Sequence, residues 1–437
     1  MKTFYFETLG CDKNTADTRA YTEKLVSKGL IEVENPNEAN FVFINTCSFI
    51  VPAKEESIGT ILDLTTIKKQ NPEVKIIAVG CLIEQHMEAI ESSIPELDGL
   101  IGVYGFDDNN IHKLFSLMGL EDITDEKVDI QEALPGSATG YLKIADGCDN
   151  HCTYCTIPSI KGPYKSREAE SIVSEAQNLY NNGVRELVIV AQDITDYGKD
   201  LENKMSLPAL LTKIAEIPYI WIRLLYVYPS GITAELLDVI KENKNIVPYL
   251  DIPMQHSENH ILKTMGRIED RDSLNKLLSF IRYEIPEIVF RSTFILGFPG
   301  ETEEDFEGLC DFVLNNKIQW AGAFTYSQEY GTPASKMENQ VPKETKEERL
   351  DIFMGKQKDI SEALNTTYLH KEILCLIEEK VEDGLYLGRT YFQAPDIDGL
   401  VYIKSTADQE VGSFVEVVIE SVDIYDLIGV VKSEFCK

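Results

Sequence analysis

Six of the nine cysteines in this 437-residue chain fall into two sets of three, and thiolates are ligands for zinc and for iron–sulfur clusters. The first set is tight. Cys148-Asp149-Asn150-His151-Cys152-Thr153-Tyr154-Cys155 packs three thiols into eight residues, and Gly147 ahead of it permits a sharp turn. Three thiolates at this spacing wrap one face of a cubic 4Fe-4S cluster and leave one iron open to an outside ligand. A structural zinc ion or an inert loop is the alternative; zinc wants four ligands, and His151, inside the loop, is an awkward fourth. The second set is dispersed: Cys11, Cys47 and Cys81 stand 36 and 34 residues apart, and their plain alternative is three buried structural cysteines. Cys310 on an apolar helical stripe, Cys375 in a β run and Cys436 in the tail read as inert.

Each dispersed cysteine ends an apolar run. Phe4 to Leu9 leads to Cys11, Phe41 to Asn45 to Cys47, and Ile76 to Val79 to Cys81, with a helical stretch after each. That spacing suits one strand-helix unit, and strands alternating with helices imply a parallel sheet whose ligands sit beyond the carboxyl ends. The three thiols should therefore meet at one edge of a Rossmann-like domain, residues 1–120, which Gly99 to Val103 completes. An acidic stretch, 121–138, reads as a linker. A second series spans 139–342, with strand candidates Tyr141 to Ala145, Glu186 to Ala191, Trp221 to Val227, Tyr249 to Ile252, Phe290 to Leu296 and Ala321 to Tyr326. Six βα units are too few to close an eight-stranded barrel, so an open (β/α)6 partial barrel is expected, with the tight triad directly after its first strand. Residues 343–369 read as a connecting helix, and 370–437 as a small antiparallel β-barrel built from short, glycine-punctuated runs. The fold class is thus α/β with an appended barrel.

Charge narrows the partners. Against 73 acidic residues stand 41 basic ones, a net charge of -32, which opposes binding to phosphate backbones and favours a basic partner. The C-terminal 371–437 segment shares the bias, with 14 acidic and six basic residues. No apolar run reaches the roughly 18 residues that a membrane span requires, and Met1-Lys2-Thr3-Phe4 opens straight into a strand. A cytoplasmic protein without a membrane partner is expected.

Cys-x3-Cys-x2-Cys after the first strand of a βα partial barrel resembles the radical S-adenosylmethionine (SAM) superfamily. The resemblance implies that the open iron holds the amino and carboxylate groups of SAM, whose one-electron reduction yields methionine and a 5'-deoxyadenosyl radical. It also implies SAM contacts from Tyr154 near the adenine, from Gln192 and Asp193 in Ala191-Gln192-Asp193, and from Arg291 and Glu301 in the later phrases Arg291-Ser292-Thr293 and Gly297-Phe298-Pro299-Gly300-Glu301-Thr302. Packing aromatic, strand-end polar residue and helix-starting acid are their plain alternatives. His256, in Pro253-Met254-Gln255-His256-Ser257, reads as a core histidine without a catalytic role.

Leu9-Gly10-Cys11-Asp12-Lys13-Asn14, Asn45-Thr46-Cys47-Ser48-Phe49 and Val79-Gly80-Cys81 resemble the amino-terminal domain of the methylthiotransferases. That resemblance implies a second, auxiliary 4Fe-4S cluster on Cys11, Cys47 and Cys81 whose open iron hosts the sulfur to be inserted. It implies a terminal barrel of the TRAM type and a transferase with two SAM-derived activities, methyl transfer to sulfur and hydrogen abstraction. One branch of that family modifies an adenosine of tRNA; another modifies the β-carbon of an aspartate in ribosomal protein S12 of the small subunit. The acidic barrel and the phrases from Arg389 to Gly399 and from Tyr425 to Leu427 resemble the ribosomal-protein branch, with Asp12 where that branch usually has proline. The basic ribosomal protein is then expected to dock on Asp396, Asp398, Asp423 and Asp426, with a flavodoxin or ferredoxin as reductant and a monomeric enzyme. A tRNA methylthiotransferase and a non-catalytic, metal-stapled ribosome-binding protein are the alternatives.

Overall fold

The computed structural model describes residues 2–105, 109–120 and 137–434, and builds from them two parallel sheets, one closed barrel and a two-stranded antiparallel ribbon, Ala145–Asp146 with Lys165–Ser166. The stretch read as a linker lies outside the described residues except for 137 and 138, and Cys436 lies outside them as well.

The first sheet has five parallel strands in the order Ile31–Glu32, Thr3–Thr8, Phe41–Thr46, Lys75–Gly80, Gly99–Ile101. Phe41–Thr46 is buried along its whole length, as a central parallel strand covered on both faces must be. Its alternation divides the core: Phe41 and Phe43 join Phe4, Leu25 and Leu114 on one face, while Val42 and Ile44 join Ile61, Ile83 and Ile90 on the other. Ile31–Glu32 is the strand that sequence patterning misses, being two exposed residues long. It matters nonetheless. Because the chain first crosses to one side of Thr3–Thr8 and then to the other, the strand order reverses between Thr3–Thr8 and Phe41–Thr46, and a crevice opens at such a switch point. Cys11 and Cys47 follow those two strands.

The second sheet is open, with six parallel strands in sequence order: Thr139–Lys143, Glu186–Val190, Trp221–Leu224, Ile246–Asp251, Val289–Leu296, Trp320–Thr325. Its helix-covered face buries Leu187, Ile189, Leu224, Leu250 and Phe290, and the helix Lys343–Asn365 adds Phe353 and Ile360 to that core. Its other face, bearing Val188, Val190, Trp221, Tyr249, Val289 and Trp320, is packed against the C-terminal barrel. That barrel closes five strands in the order Glu372–Glu382, Leu385–Thr390, Val401–Lys404, Leu427–Val431, Phe414–Val422. All its pairings are antiparallel except Val401–Lys404 with Leu427–Val431, which is parallel. Among the described residues no helix is long and apolar enough to cross a membrane.

Candidate functional site

The tight triad sits in a loop clamped from both flanks. Gly147 has φ +75°, and a Cβ there would lie 2.2 Å from the Pro163 carbonyl oxygen, so only glycine makes the turn into Cys148. Cys148 N–H then donates to the Gly162 carbonyl at 3.2 Å. On the far flank Thr153 donates from its N–H to Met265 O and from its hydroxyl to Thr264 O, both at 2.9 Å. Gly266 lets the His151 carbonyl approach, since a Cβ there would meet it at 2.7 Å. The Cys155 sulfur accepts the Ile157 N–H at 3.4 Å. Burial, then the neighbouring thiols, push the Cys155 thiol up to about 12.

The dispersed triad is assembled by the first sheet. Cys11 is the N-cap of helix Asp12–Ser27, Cys47 follows the strand Phe41–Thr46, and Cys81 opens helix Cys81–Ser93. Gly10, at φ +93°, packs directly on Cys47: a Cβ would come within 2.7 Å of its Cβ and 2.9 Å of its sulfur. Asn14 donates to Leu9 O at 2.7 Å and Thr46 O at 3.2 Å, and Asn45 returns a bond to Asn14 O at 2.9 Å, which ties the Cys11 and Cys47 turns together. Cys81 is pushed up to about 12, first by burial and then by Cys11 and Cys47, against the opposing pull of Lys161. Thiols buried in this way ionise only when a positive charge compensates them, and the irons of a cluster supply it. Among the described residues no three His, Cys, Asp or Glu side chains are set to hold a single metal ion, and the His151 side chain is exposed. A donor set of three thiols, each able to take a different iron, suits a cluster.

Polar contacts join the two halves. Asp17 of the first helix pairs with Lys143 and, at 3.3 Å, with Lys161; Asp146 pairs with the same lysines at 3.0 and 3.4 Å. All four side chains are buried, and the two ammoniums hold the Asp146 carboxyl down to about 2 against its burial. Glu329 accepts from Val51 N–H and from Lys54 Nζ, each at 2.7 Å. The Tyr226 hydroxyl donates to Asp12 at 2.8 Å. Sequence reasoning missed these pairings, because a charged side chain looks solvated until its distant partner is known.

Of the predicted SAM contacts, three lie by the tight triad. Asp193 accepts from Asn150 of the loop at 3.0 Å, Gln192 donates to Asp146 at 2.9 Å, and Tyr154 stands edge-on to Phe298 at 6.5 Å. The other two are otherwise engaged. Glu301 is buried, with one oxygen taken by Arg349 at 2.7 Å and the other by Gly297 N–H at 2.9 Å, so it bolts the connecting helix to the barrel turn. Arg291 spends its guanidinium on Asp251 at 3.0 Å and Asp398 at 3.5 Å.

The docking expectation also needs correction. The Asp398 side chain is 1% exposed, accepting from Tyr249 OH at 2.6 Å and Ala394 N–H at 2.8 Å. Asp426 accepts from Leu400 N–H at 2.8 Å. Asp398 is thus absorbed internally while Asp426 is half-buried, and Arg389 of the same region pairs with Glu186 of the second sheet. Asp396 and Asp423 are exposed.

Residues 3–102 match an uncharacterized protein family designated UPF0004, residues 142–313 the radical SAM superfamily, and residues 371–431 the TRAM domain. In fold the chain is similar to the radical S-adenosylmethionine methyltransferase TsrM from Kitasatospora setae, solved with cobalamin and a 4Fe-4S cluster (TM-score 0.56, 13% identity, covering 76% of this chain and 77% of that one). It is also similar to the cobalamin-dependent S-adenosylmethionine radical enzyme OxsB (TM-score 0.52, 13% identity, 82% and 56%). In sequence it is 42% identical to the protein named ribosomal protein uS12 methylthiotransferase RimO of Clostridioides difficile, over 97% of each chain. It is also 42% identical to the proteins of that name from Acetivibrio thermocellus and Carboxydothermus hydrogenoformans, over 98% of each chain. At that identity and coverage, the chain belongs to the ribosomal protein uS12 methylthiotransferase family.

Proposed function

We infer that this chain is a radical SAM methylthiotransferase that modifies the β-carbon of an aspartate in ribosomal protein uS12. The observation that carries the reading is the pair of thiol triads on either side of one polar seam, in a chain 42% identical to named members of that family over nearly its full length. Cys148, Cys152 and Cys155 hold one 4Fe-4S cluster and Cys11, Cys47 and Cys81 a second. Bound there, the first would pass on the electron that cleaves SAM to the radical that removes the substrate hydrogen, and the second would host the sulfur to be inserted.

The chain's own residues do the placing. Gly147 and Gly266 let backbone approach closely at both flanks of the loop that carries the three thiols. Gln192 and Asp193 beside that loop, and Tyr154 within it, orient SAM. Asp193 is held by Asn150 and by Thr195 N–H at 2.9 Å, and burial pushes its carboxyl up. The paired charges of Asp17, Lys143, Asp146 and Lys161 keep the two halves at a fixed separation, which an ordered two-step transfer requires. Net acidity draws in the basic substrate. A flavodoxin or ferredoxin is the reductant, and the enzyme works as a monomer in the cytoplasm.

Anaerobic reconstitution tests this reading. About eight irons per chain, with matching sulfide, and a methylthio group on a uS12 aspartate by mass spectrometry are expected. Zinc in place of iron, or thiolation of tRNA with none on uS12, overturns it.

A further inference from the structure

Tyr226 lies just past the strand Trp221–Leu224, at the carboxyl edge where parallel sheets place their ligands. Its backbone has φ +72°, a left-handed conformation that bulky residues rarely adopt and that persists only where surroundings impose it. Neighbouring strand ends impose it here: Tyr226 N–H donates to Asp251 at 3.2 Å, and its carbonyl accepts from Ile194 N–H at 3.1 Å. The strained turn aims the side chain away from its own sheet and across the seam. There the phenol donates to Asp12 Oδ2 at 2.8 Å, and the Lys13 ammonium sits 3.1 Å from the ring centroid. Asp12 directly follows Cys11, the N-cap, and opens the first turn of helix Asp12–Ser27, whose N-terminus favours the acid.

The other seam contacts, Asp17 with Lys143 and Lys161 and Glu329 with Lys54, already hold the halves together. Lys161 acts on the thiols of Cys81 and Cys11 only through its charge, and neither contact bonds to the residues that flank Cys11. The Tyr226 contact does, and it ties that turn to the same barrel edge that carries Ile194 and Asp251.

We propose that Tyr226, acting through Asp12 and Lys13, is a positioning residue that fixes the Cys11 turn against the mouth of the central sheet, so that hydrogen abstraction and sulfur insertion stay coupled. The proposal rests on the reading above that Cys11 is a cluster ligand. If the turn drifts, the radical still forms, but the sulfur side is out of reach of the activated carbon.

The test compares iron-loaded wild type with Tyr226→Phe, Asp12→Ala and Asp12→Asn. Tyr226→Phe keeps the ring and removes the donor; Asp12→Asn keeps an acceptor for it, and Asp12→Ala does not. The ratio of 5'-deoxyadenosine to methylthiolated uS12 should rise about tenfold in Tyr226→Phe and Asp12→Ala and return to near the wild-type value in Asp12→Asn. Independently of turnover, amide hydrogen exchange without SAM should quicken about tenfold over residues 9–16 in the first two variants and not in the third. A wild-type ratio in Tyr226→Phe overturns the proposal, as does faster exchange with unaltered coupling, which marks the contact as structural only. If either Tyr226→Phe or Asp12→Ala fails to accumulate folded, the other together with Asp12→Asn decides. Wild-type protein that leaves uS12 unmodified overturns the functional reading instead, and the exchange comparison then still reports whether Tyr226 holds the Cys11 turn.

Discussion

Where the central sheet meets the C-terminal barrel, a continuous apolar cluster crosses the boundary: Val188, Trp221, Tyr249 and Trp320 on one side, Leu376, Phe392 and Ile403 on the other. Tyr368 stacks on Phe392 at 4.0 Å, and Trp320 donates to the Phe392 carbonyl at 2.6 Å. Inside this apolar joint Arg389 reaches Glu186, which Arg223 also holds at 2.8 Å. Where the same sheet meets the N-terminal domain, no apolar cluster among the described residues crosses at all. Ion pairs and single hydrogen bonds do the holding. An apolar joint is held by burial at every temperature and salt at which the protein folds, whereas a polar seam is held by specific partners and leaves charged groups beside the thiols. The first is a permanent weld. The second is where polar reactants and cofactors can be accommodated.

The difference can be broken most severely at the thiols that flank the seam. Cys148, Cys152 and Cys155 changed together to alanine should lower SAM cleavage to background, whereas the same change at Cys11, Cys47 and Cys81 should abolish methylthiolated product and retain reductive cleavage. Chromatographic measurement of 5'-deoxyadenosine beside mass spectrometry of uS12 separates the two.

Next in size are the buried charges. Arg389→Met leaves Glu186 and Glu378 short of a cation inside the joint and should cost about 3–5 kcal/mol in chemical denaturation. Lys161→Met should fall toward the lower end of that range, because Lys143 still pairs with both Asp17 and Asp146.

Acid sharpens the contrast. Arginine neighbours bring Glu186 down to about 2 despite its burial, and Lys143 and Lys161 do the same for Asp146. A carboxyl whose folded pKa is depressed contributes stability above its unfolded pKa, near 4, and loses it as pH falls toward 2. Both regions weaken in that window, but only the joint keeps apolar burial once its carboxyl is protonated. Hydrogen exchange along an acid titration should therefore show residues 12–17 and 143–161 opening before 389–393; the reverse order would mean that the joint is the weaker boundary.

The smallest effect concerns the exposed acids of the barrel. Asp396→Lys with Asp423→Lys should slow uS12 association by less than about tenfold, with a weaker salt dependence. Asp398→Lys should instead unfold the joint, since it places a cation beside Arg291 in a buried site. Stopped-flow binding and thermal melts distinguish the two outcomes.

Much of this architecture can be read along the chain because it is locally encoded. Three thiols within eight residues must share one loop, and the Thr302 cap and apolar spacing delimit the helix Glu303–Asn315 without outside help. Apolar runs ending in cysteine likewise predict strands that deliver thiols to one edge. What the chain order conceals is pairing at a distance. Asp17 and Lys143 lie 126 residues apart, and Arg389 and Glu186 lie 203 apart; each reads as a solvated surface charge until folding removes its water and supplies its partner. The same reason explains Asp398, whose acidity resembled a docking feature and whose burial makes it a fastener. Ile31–Glu32 carries no pattern of its own and exists only because Thr3–Thr8 offers it an edge, yet its position creates the crevice between Cys11 and Cys47. Residue type and spacing thus determined which chemistry the chain carries, while tertiary structure alone decided which charges become buried partners and how the two triads are held across the seam, because a charge's energy depends on surroundings that local sequence does not contain.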